Sequence, residues 1–179
     1  MKQFKIVVLG HGDVGKSSIT MQYISETFID YYNPTIEDLY VKETEFSKIP
    51  VRLEILDTAG LDQFTTMRDL YIKNGDGFII VYNIVNKKTF MNLNSLKEHI
   101  LNTKRTKHIP LVLVGNKLDK ARNRRAVDSI DGETLAAAWG CPFFEITAHC
   151  LEDVQNVFTN LLKQLFIQEK KHQNNCFLL

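Results

Sequence analysis

The chain has 179 residues, 44% of them hydrophobic and 24% charged, with a formal net charge of +1. One domain with a core of its own is the expectation at this size, without disulfide staples. So balanced a charge gives no global field for nucleic acid or a strongly charged substrate. Three cysteines, Cys141, Cys150 and Cys176, are an odd and sparse set, which points away from a disulfide framework and towards a reducing compartment. The N-terminus enters a strand pattern at once and lacks the features of a signal peptide. The most apolar run, Gly77 to Val85, is too short to cross a bilayer as a helix.

In chain order, Phe4 to Leu9 reads as a buried strand and Lys16 to Ser25 as the helix after it. Leu39 to Phe46 and Val51 to Leu56 read as a hairpin. Thr65 to Lys73 reads as a helix. Phe78 to Asn83 is a continuous apolar run, as in strands covered on both faces. Lys87 to Thr103 reads as one helix, Leu111 to Val114 as a second covered strand, Asp131 to Trp139 as a helix and Phe143 to Ile146 as a short strand. A last helix runs from about Leu151 to Lys170, overlapping a low-order polar tail, Gln168 to Asn175. This alternation predicts an α/β fold: a mostly parallel six-stranded sheet, one antiparallel edge strand, and helices on both faces. The expected division is a domain over residues 1–167 and a flexible tail over 168–179.

Gly10-His11-Gly12-Asp13-Val14-Gly15-Lys16-Ser17 fits G-x-x-x-x-G-K-[ST] between a strand and a helix. Glycines at those places let backbone N–H groups curl around an anion, and the helix N-terminus adds its own attraction. Lys16 reaches the β- and γ-phosphates in such a loop, and the Ser17 hydroxyl ligates Mg²⁺. Asp13 is the unusual residue: a carboxylate beside phosphates weakens binding unless it points away or meets a cation. It faces outward, or else it loosens the nucleotide.

Asn116-Lys117-Leu118-Asp119 follows the strand Leu111 to Val114. A carboxylate there accepts two hydrogen bonds from the N1–H and 2-amino group of guanine, a donor pair that adenine lacks. Asp119 therefore selects the base, and the ligand expected is GTP or GDP.

With these two motifs, Tyr32-Asn33-Pro34-Thr35-Ile36-Glu37-Asp38, Asp57-Thr58-Ala59-Gly60 and Thr147-Ala148-His149, the chain resembles the Ras-superfamily small GTPases over nearly its whole length. The Ras and Rap branches are the most similar. The run around Gln63-Phe64-Thr65 and Met67 to Tyr71 leans towards Rap, while Tyr31 matches the usual charged residue of neither branch. The resemblance implies the P-loop GTPase fold and a switch that binds GTP/GDP with Mg²⁺. It places Gly12, Asp13, Val14, Gly15, Lys16, Ser17 and Ser18 at the phosphates, and Phe28, Tyr32 and Pro34 around the nucleotide. Asn116, Lys117, Asp119, Thr147, Ala148 and His149 fall at the base. The family more often has Ser-Ala-Lys where this chain has Thr147-Ala148-His149.

The same resemblance makes Ser17 and Thr35 the metal ligands, with Asp57 acting through a water. Thr35 and Gly60 would sense the γ-phosphate and release two loops when it is lost. Tyr32, Thr35, Ile36, Glu37, Asp38 and Tyr40 match the effector segment, whose partners add a strand to the open sheet edge at Leu39 to Val41. Implied partners are effectors with Ras-binding-type domains, an exchange factor and a GTPase-activating protein. No nucleic acid is expected, and the chain is expected to be a monomer.

Most of the family has Gln after Asp-Thr-Ala-Gly, where it orients the attacking water. Here Leu61 stands there. An isobutyl group neither accepts from water nor donates to a transition state, so slow hydrolysis is expected. Either Leu61 is an introduced change that traps the GTP form, or it is native, as Thr is at this position in Rap proteins. Cys176-Phe177-Leu178-Leu179 fits a prenylation signal, and a terminal Leu favours geranylgeranyl. Lys170, Lys171 and His172 offer a weak basic patch. The expected place is the cytoplasmic face of a membrane, with a cytosolic pool. Two other functions are alternatives: an effector-binding platform with negligible turnover, and a metabolic P-loop kinase. The second has no use for the guanine signature or the tail.

Overall fold

The computed structural model describes residues 1–26, 37–60 and 65–176. Its elements are β1 (Lys2–Gly10), α1 (Lys16–Ser25), β2 (Glu37–Phe46), β3 (Ile49–Thr58), α2 (Thr65–Asn74), β4 (Gly77–Asn83), α3 (Lys88–Met91), α4 (Leu93–Lys104), β5 (Leu111–Asn116), a 3-10 turn (Leu118–Asn123), α5 (Ser129–Trp139), β6 (Phe143–Glu145) and α6 (Leu151–Cys176). The six strands form one sheet in the order β2-β3-β1-β4-β5-β6. All neighbours pair in parallel except the β2–β3 hairpin, whose antiparallel β2 is an edge. This is the mostly parallel sheet that the alternation predicts, and it agrees with the P-loop GTPase fold that the resemblance implies.

Strand alternation divides the core. Ile6 and Val8 of β1 face a layer with Ile19 and Tyr23 of α1 and Val154, Phe158 and Leu161 of α6. Val7 and Leu9 face the other way, onto Ile72 of α2, Leu93, Leu96 and Ile100 of α4, and Ala136 of α5. Every residue of β4 and β5 is buried, as their apolar runs require when helices cover both faces. Tyr23 stacks on Phe158 with ring centroids 3.7 Å apart, joining α1 to α6.

Two expectations are corrected. The helix read from Lys87 to Thr103 is broken at Asn92 into α3 and α4. Asn92 leaves helical geometry there, with φ of −100° and ψ of 9°, while the Thr89 hydroxyl accepts the Asn83 N–H at 2.9 Å and donates to the Asn86 carbonyl at 2.7 Å, fastening α3 to the end of β4. The low-order tail from Gln168 is instead helical as far as Cys176. Gln, Glu and Lys are strong helix formers, and Glu169 pairs with Lys2 at the start of β1. Residues 177–179 lie outside the described residues. No described helix is long and apolar enough to cross a membrane.

β1 is where the strand order changes direction: the chain builds β2 and β3 on one side of it, then β4 to β6 on the other. In open α/β sheets the crevice beyond the strand C-termini at such a point is the place for a ligand. The loop Gly10 to Ser17 lies there.

Candidate nucleotide site

The phosphate loop is shaped by close backbone approaches. A Cβ at Gly10, where φ is +155°, would lie 2.3 Å from the Val81 carbonyl oxygen of β4. One at Gly15, where φ is +93°, would lie 2.3 Å from the Asn116 side-chain nitrogen. Only glycine fits these positions, which is the physical content of the motif's two fixed glycines. Val14 is fully buried and anchors the loop's underside in the core. Gly15 is the N-cap of α1 and no side chain caps that end, so the first-turn N–H groups point into the loop.

Lys16 folds back over this loop. Its ammonium donates to the carbonyls of Gly10 at 3.2 Å and His11 at 3.0 Å. Only 6% of the residue is exposed. Burial lowers its pKa from 10.5 to about 8, partly opposed by the negative charge of Asp57. Asp57, at the C-terminal end of β3, is fully buried. Ser17 opens α1 beside it. A buried ammonium, a buried carboxylate, a hydroxyl and uncapped N–H groups form a donor set suited to a phosphate with a hard divalent cation. Gly60 backs onto the loop: a Cβ there would stand 2.7 Å from the Gly12 nitrogen. Gly60 and Gly12 thus meet with no room for a side chain between them.

Asn116 is the joint between the two halves of the site. Its side-chain nitrogen donates to the Val14 carbonyl at 2.9 Å, and its side-chain oxygen accepts the Ala148 N–H at 3.1 Å. The sequence reading put Asn116 at the base and missed this bracing. The only signal for it was an amide at the end of an otherwise apolar strand. Lys117, with φ of 70°, leaves β5 in the left-handed region and its ammonium meets the Asp13 carboxylate at 3.1 Å. Asp13 is thus both outward-facing, with 83% of its side chain exposed, and matched to a cation. The Asp119 carboxylate lies 4.0 Å from His149 Nε2, and the Thr147 hydroxyl accepts the His149 N–H at 3.4 Å. The fold therefore brings Asn116, Lys117, Asp119, Thr147, Ala148 and His149 to one end of β5 and β6, next to the phosphate loop.

The family model for the Ras family matches residues 5–167. This chain belongs to the Ras family. Ras-family chains are small GTPases, switches that bind GTP or GDP with Mg²⁺, hydrolyse GTP, and meet effectors, exchange factors and activating proteins. The match covers all the loops assembled here.

Within this Ras-family domain, Asp38 and Tyr40 lie on the open edge strand β2, the Tyr40 hydroxyl donating to Asp38 at 3.3 Å. Burial and the charge of Asp38 push the Tyr40 phenol upward in pKa. Leu39 and Val41 are exposed beside them, at 61% and 45%. Glu37 pairs in β2 opposite Thr58. Phe28, Tyr31, Tyr32, Pro34, Thr35, Ile36, Leu61, Gln63 and Phe64 lie outside the described residues. Cys141 and Cys150 are half-buried and free, packed near β6 and the loop after it, as read from the sequence. Trp139 is half-buried against the core and gives its indole N–H to Asn94 at 2.8 Å.

Proposed function

We propose that this Ras-family chain is a GTP-dependent signalling switch of the Ras/Rap branches, nearer to Rap, that binds effectors in its GTP form and hydrolyses GTP slowly. The observation that carries the nucleotide assignment is Lys16. An ammonium is held almost entirely out of water, against backbone carbonyls, at the mouth of an uncapped helix. Such a group is expensive to bury, and the charge of Asp57 offsets only part of that cost.

In this proposal Gly12 to Ser18 cradle the phosphates, and Lys16 neutralises the charge that grows on the β- and γ-phosphates during transfer. A Mg²⁺ ion, when bound, would supply positive charge to neutralise the phosphates. Ser17 and Thr35 would hold it directly and Asp57 through a water. Asp119 would accept from the guanine edge, Lys117 and Phe28 would cover the ring, and the Ala148 N–H, which donates to Asn116 without ligand, would turn to the base oxygen. Tyr32 and Pro34 complete the nucleotide's surroundings. Thr35 and the Gly60 N–H sense the γ-phosphate, and Gly60 passes its position to Gly12. Effectors dock on β2 through Tyr32, Thr35, Ile36, Glu37, Asp38 and Tyr40. Cys176 takes a prenyl chain that brings the protein to the cytoplasmic face of a membrane.

Leu61 stands where the family positions the attacking water, and it offers no hydrogen bond. Single-turnover GTP hydrolysis, compared with Leu61→Gln, tests this. A positioned polar group adds on the order of 10²-fold, and the Gln variant is expected to gain by that order. Equal rates would overturn the role given to Leu61.

A further inference from the structure

The sheet sorts this chain's charges in space. Strands β1, β3, β4, β5 and β6 run one way. Their N-terminal ends gather opposite the phosphate loop, together with the C-terminal ends of α2, α4 and α6. The end of α4 meets α6 there: Lys104, Thr106 and His108 line one cavity with Gln168 and Glu169. The loop after α4 reads Arg105-Thr106-Lys107-His108, and all four residues are exposed. Lys104 donates to the carbonyls of Lys73 at 3.1 Å and Gly75 at 2.7 Å, which sets the exposed Lys73 beside this loop. Lys170 and Lys171, also exposed, follow on α6.

The acids at this end are already engaged or distant. Glu169 pairs with Lys2, and the Asp76 carboxylate accepts the Lys5 backbone N–H at 2.8 Å. Glu45 lies on β2, at the far edge of the sheet from β5 and β6. Among the described residues, no ion pair engages Lys73, Arg105, Lys107, Lys170 or Lys171. A net charge of +1 thus conceals a basic end. α6 stops at Cys176, about 10 Å beyond Glu169 at the rise of an α-helix.

We infer that this basic end, centred on Arg105 and Lys107, docks on an anionic membrane surface and is the second attachment signal beside the lipid on Cys176. The inference rests on the prenylation proposed above. One lipid chain holds a protein to a membrane only marginally, and a basic patch is one way to complete the attachment. Each Lys or Arg near an anionic surface strengthens binding about fivefold, within a Debye length of roughly 10 Å. An acidic protein surface offers the same charge complement. The membrane is favoured because the patch lies at the end of the domain from which α6 runs on to Cys176.

The test uses the full chain, geranylgeranylated enzymatically with the mass checked, and sedimented with phosphatidylcholine vesicles with or without phosphatidylserine. Tighter binding to the serine-containing vesicles is expected. Arg105→Gln with Lys107→Gln should weaken that binding about 25-fold at low salt and leave binding to phosphatidylcholine alone as it was. Arg122→Gln with Arg124→Gln, at the opposite end of the domain, should change neither. Equal binding to both vesicle types, or a double variant at Arg105 and Lys107 that binds like the wild type, overturns the inference in favour of an acidic protein partner. If Cys176 refuses the lipid, the anchor proposal fails instead, and the unmodified chain carries the test. Weak low-salt binding to pure phosphatidylserine vesicles, lost in the Arg105/Lys107 variant, supports the patch; no such binding overturns it.

Discussion

If Lys16 is kept close to neutrality by burial alone, a phosphate should bring it a proton. Its pKa of about 8 without ligand makes about three quarters of the side chains neutral at pH 8.5 and about a tenth at pH 7. A polyanion facing the ammonium raises the pKa well above both values. Binding of GDP to nucleotide-free protein should therefore take up about 0.7 proton at pH 8.5. Calorimetry in two buffers of different ionisation enthalpy measures this number directly. At that pH the nucleotide's own phosphates are already ionised, since their last pKa is near 6, so they do not blur the result. Lys16→Arg keeps the charge but cannot titrate, and its uptake should vanish. Without ligand, the sign for stability follows. Lys16 binds its proton less tightly folded than unfolded, so the unfolded chain holds more protons between about pH 8 and 10.5. Stability from this group rises with pH across that window, and the full penalty, on the order of 3 kcal/mol, applies below it. Buffer-independent binding heats at pH 8.5 would refute the reasoning.

Asn116→Ala strands two buried partners, the Val14 carbonyl and the Ala148 N–H. At roughly 1–3 kcal/mol for each unsatisfied group, chemical denaturation should show a loss of about 2–5 kcal/mol, and a loss below 1 kcal/mol would mean that the brace is dispensable. Tyr82 is fully buried, and its hydroxyl has no hydrogen-bond partner among the described residues. Tyr82→Phe should therefore stabilise the fold by about 1 kcal/mol, raising Tm by roughly 2–4 °C; a fall in Tm would show that the hydroxyl has a partner after all.

The fold was legible because its signals are local. The runs at Phe78 to Asn83 and Leu111 to Val114 are apolar on both faces, and both strands are covered on both faces. The loop from Gly10 to Ser17 was equally readable, because each fixed glycine answers a close backbone approach. The break at Asn92 was not, since no Gly or Pro marks it, and the Thr89 bond that fastens α3 to the end of β4 joins residues six apart. The helical end of α6 was hidden by polarity: it has little core to face, and its helix rests on propensity and the Lys2–Glu169 pair. The basic end was invisible to a sum of charges, because its members sit on three elements that meet only in the folded chain.

What joins the phosphate and base halves of the site is decided by magnitude. Two contacts link them, the Asn116 bonds and the Asp13–Lys117 ion pair. The ion pair catches the eye, since it unites the one unexpected residue of the phosphate loop with the lysine of the guanine signature. Yet 83% of the Asp13 side chain is in solvent, and exposed pairs of this kind contribute little. Asn116 is 2% exposed, and both of its partners would be costly to leave unmade. The two halves are thus held together by a buried neutral amide. Asp13 is left free to answer the ligand's charge, because the integrity of the site does not depend on where its carboxylate points.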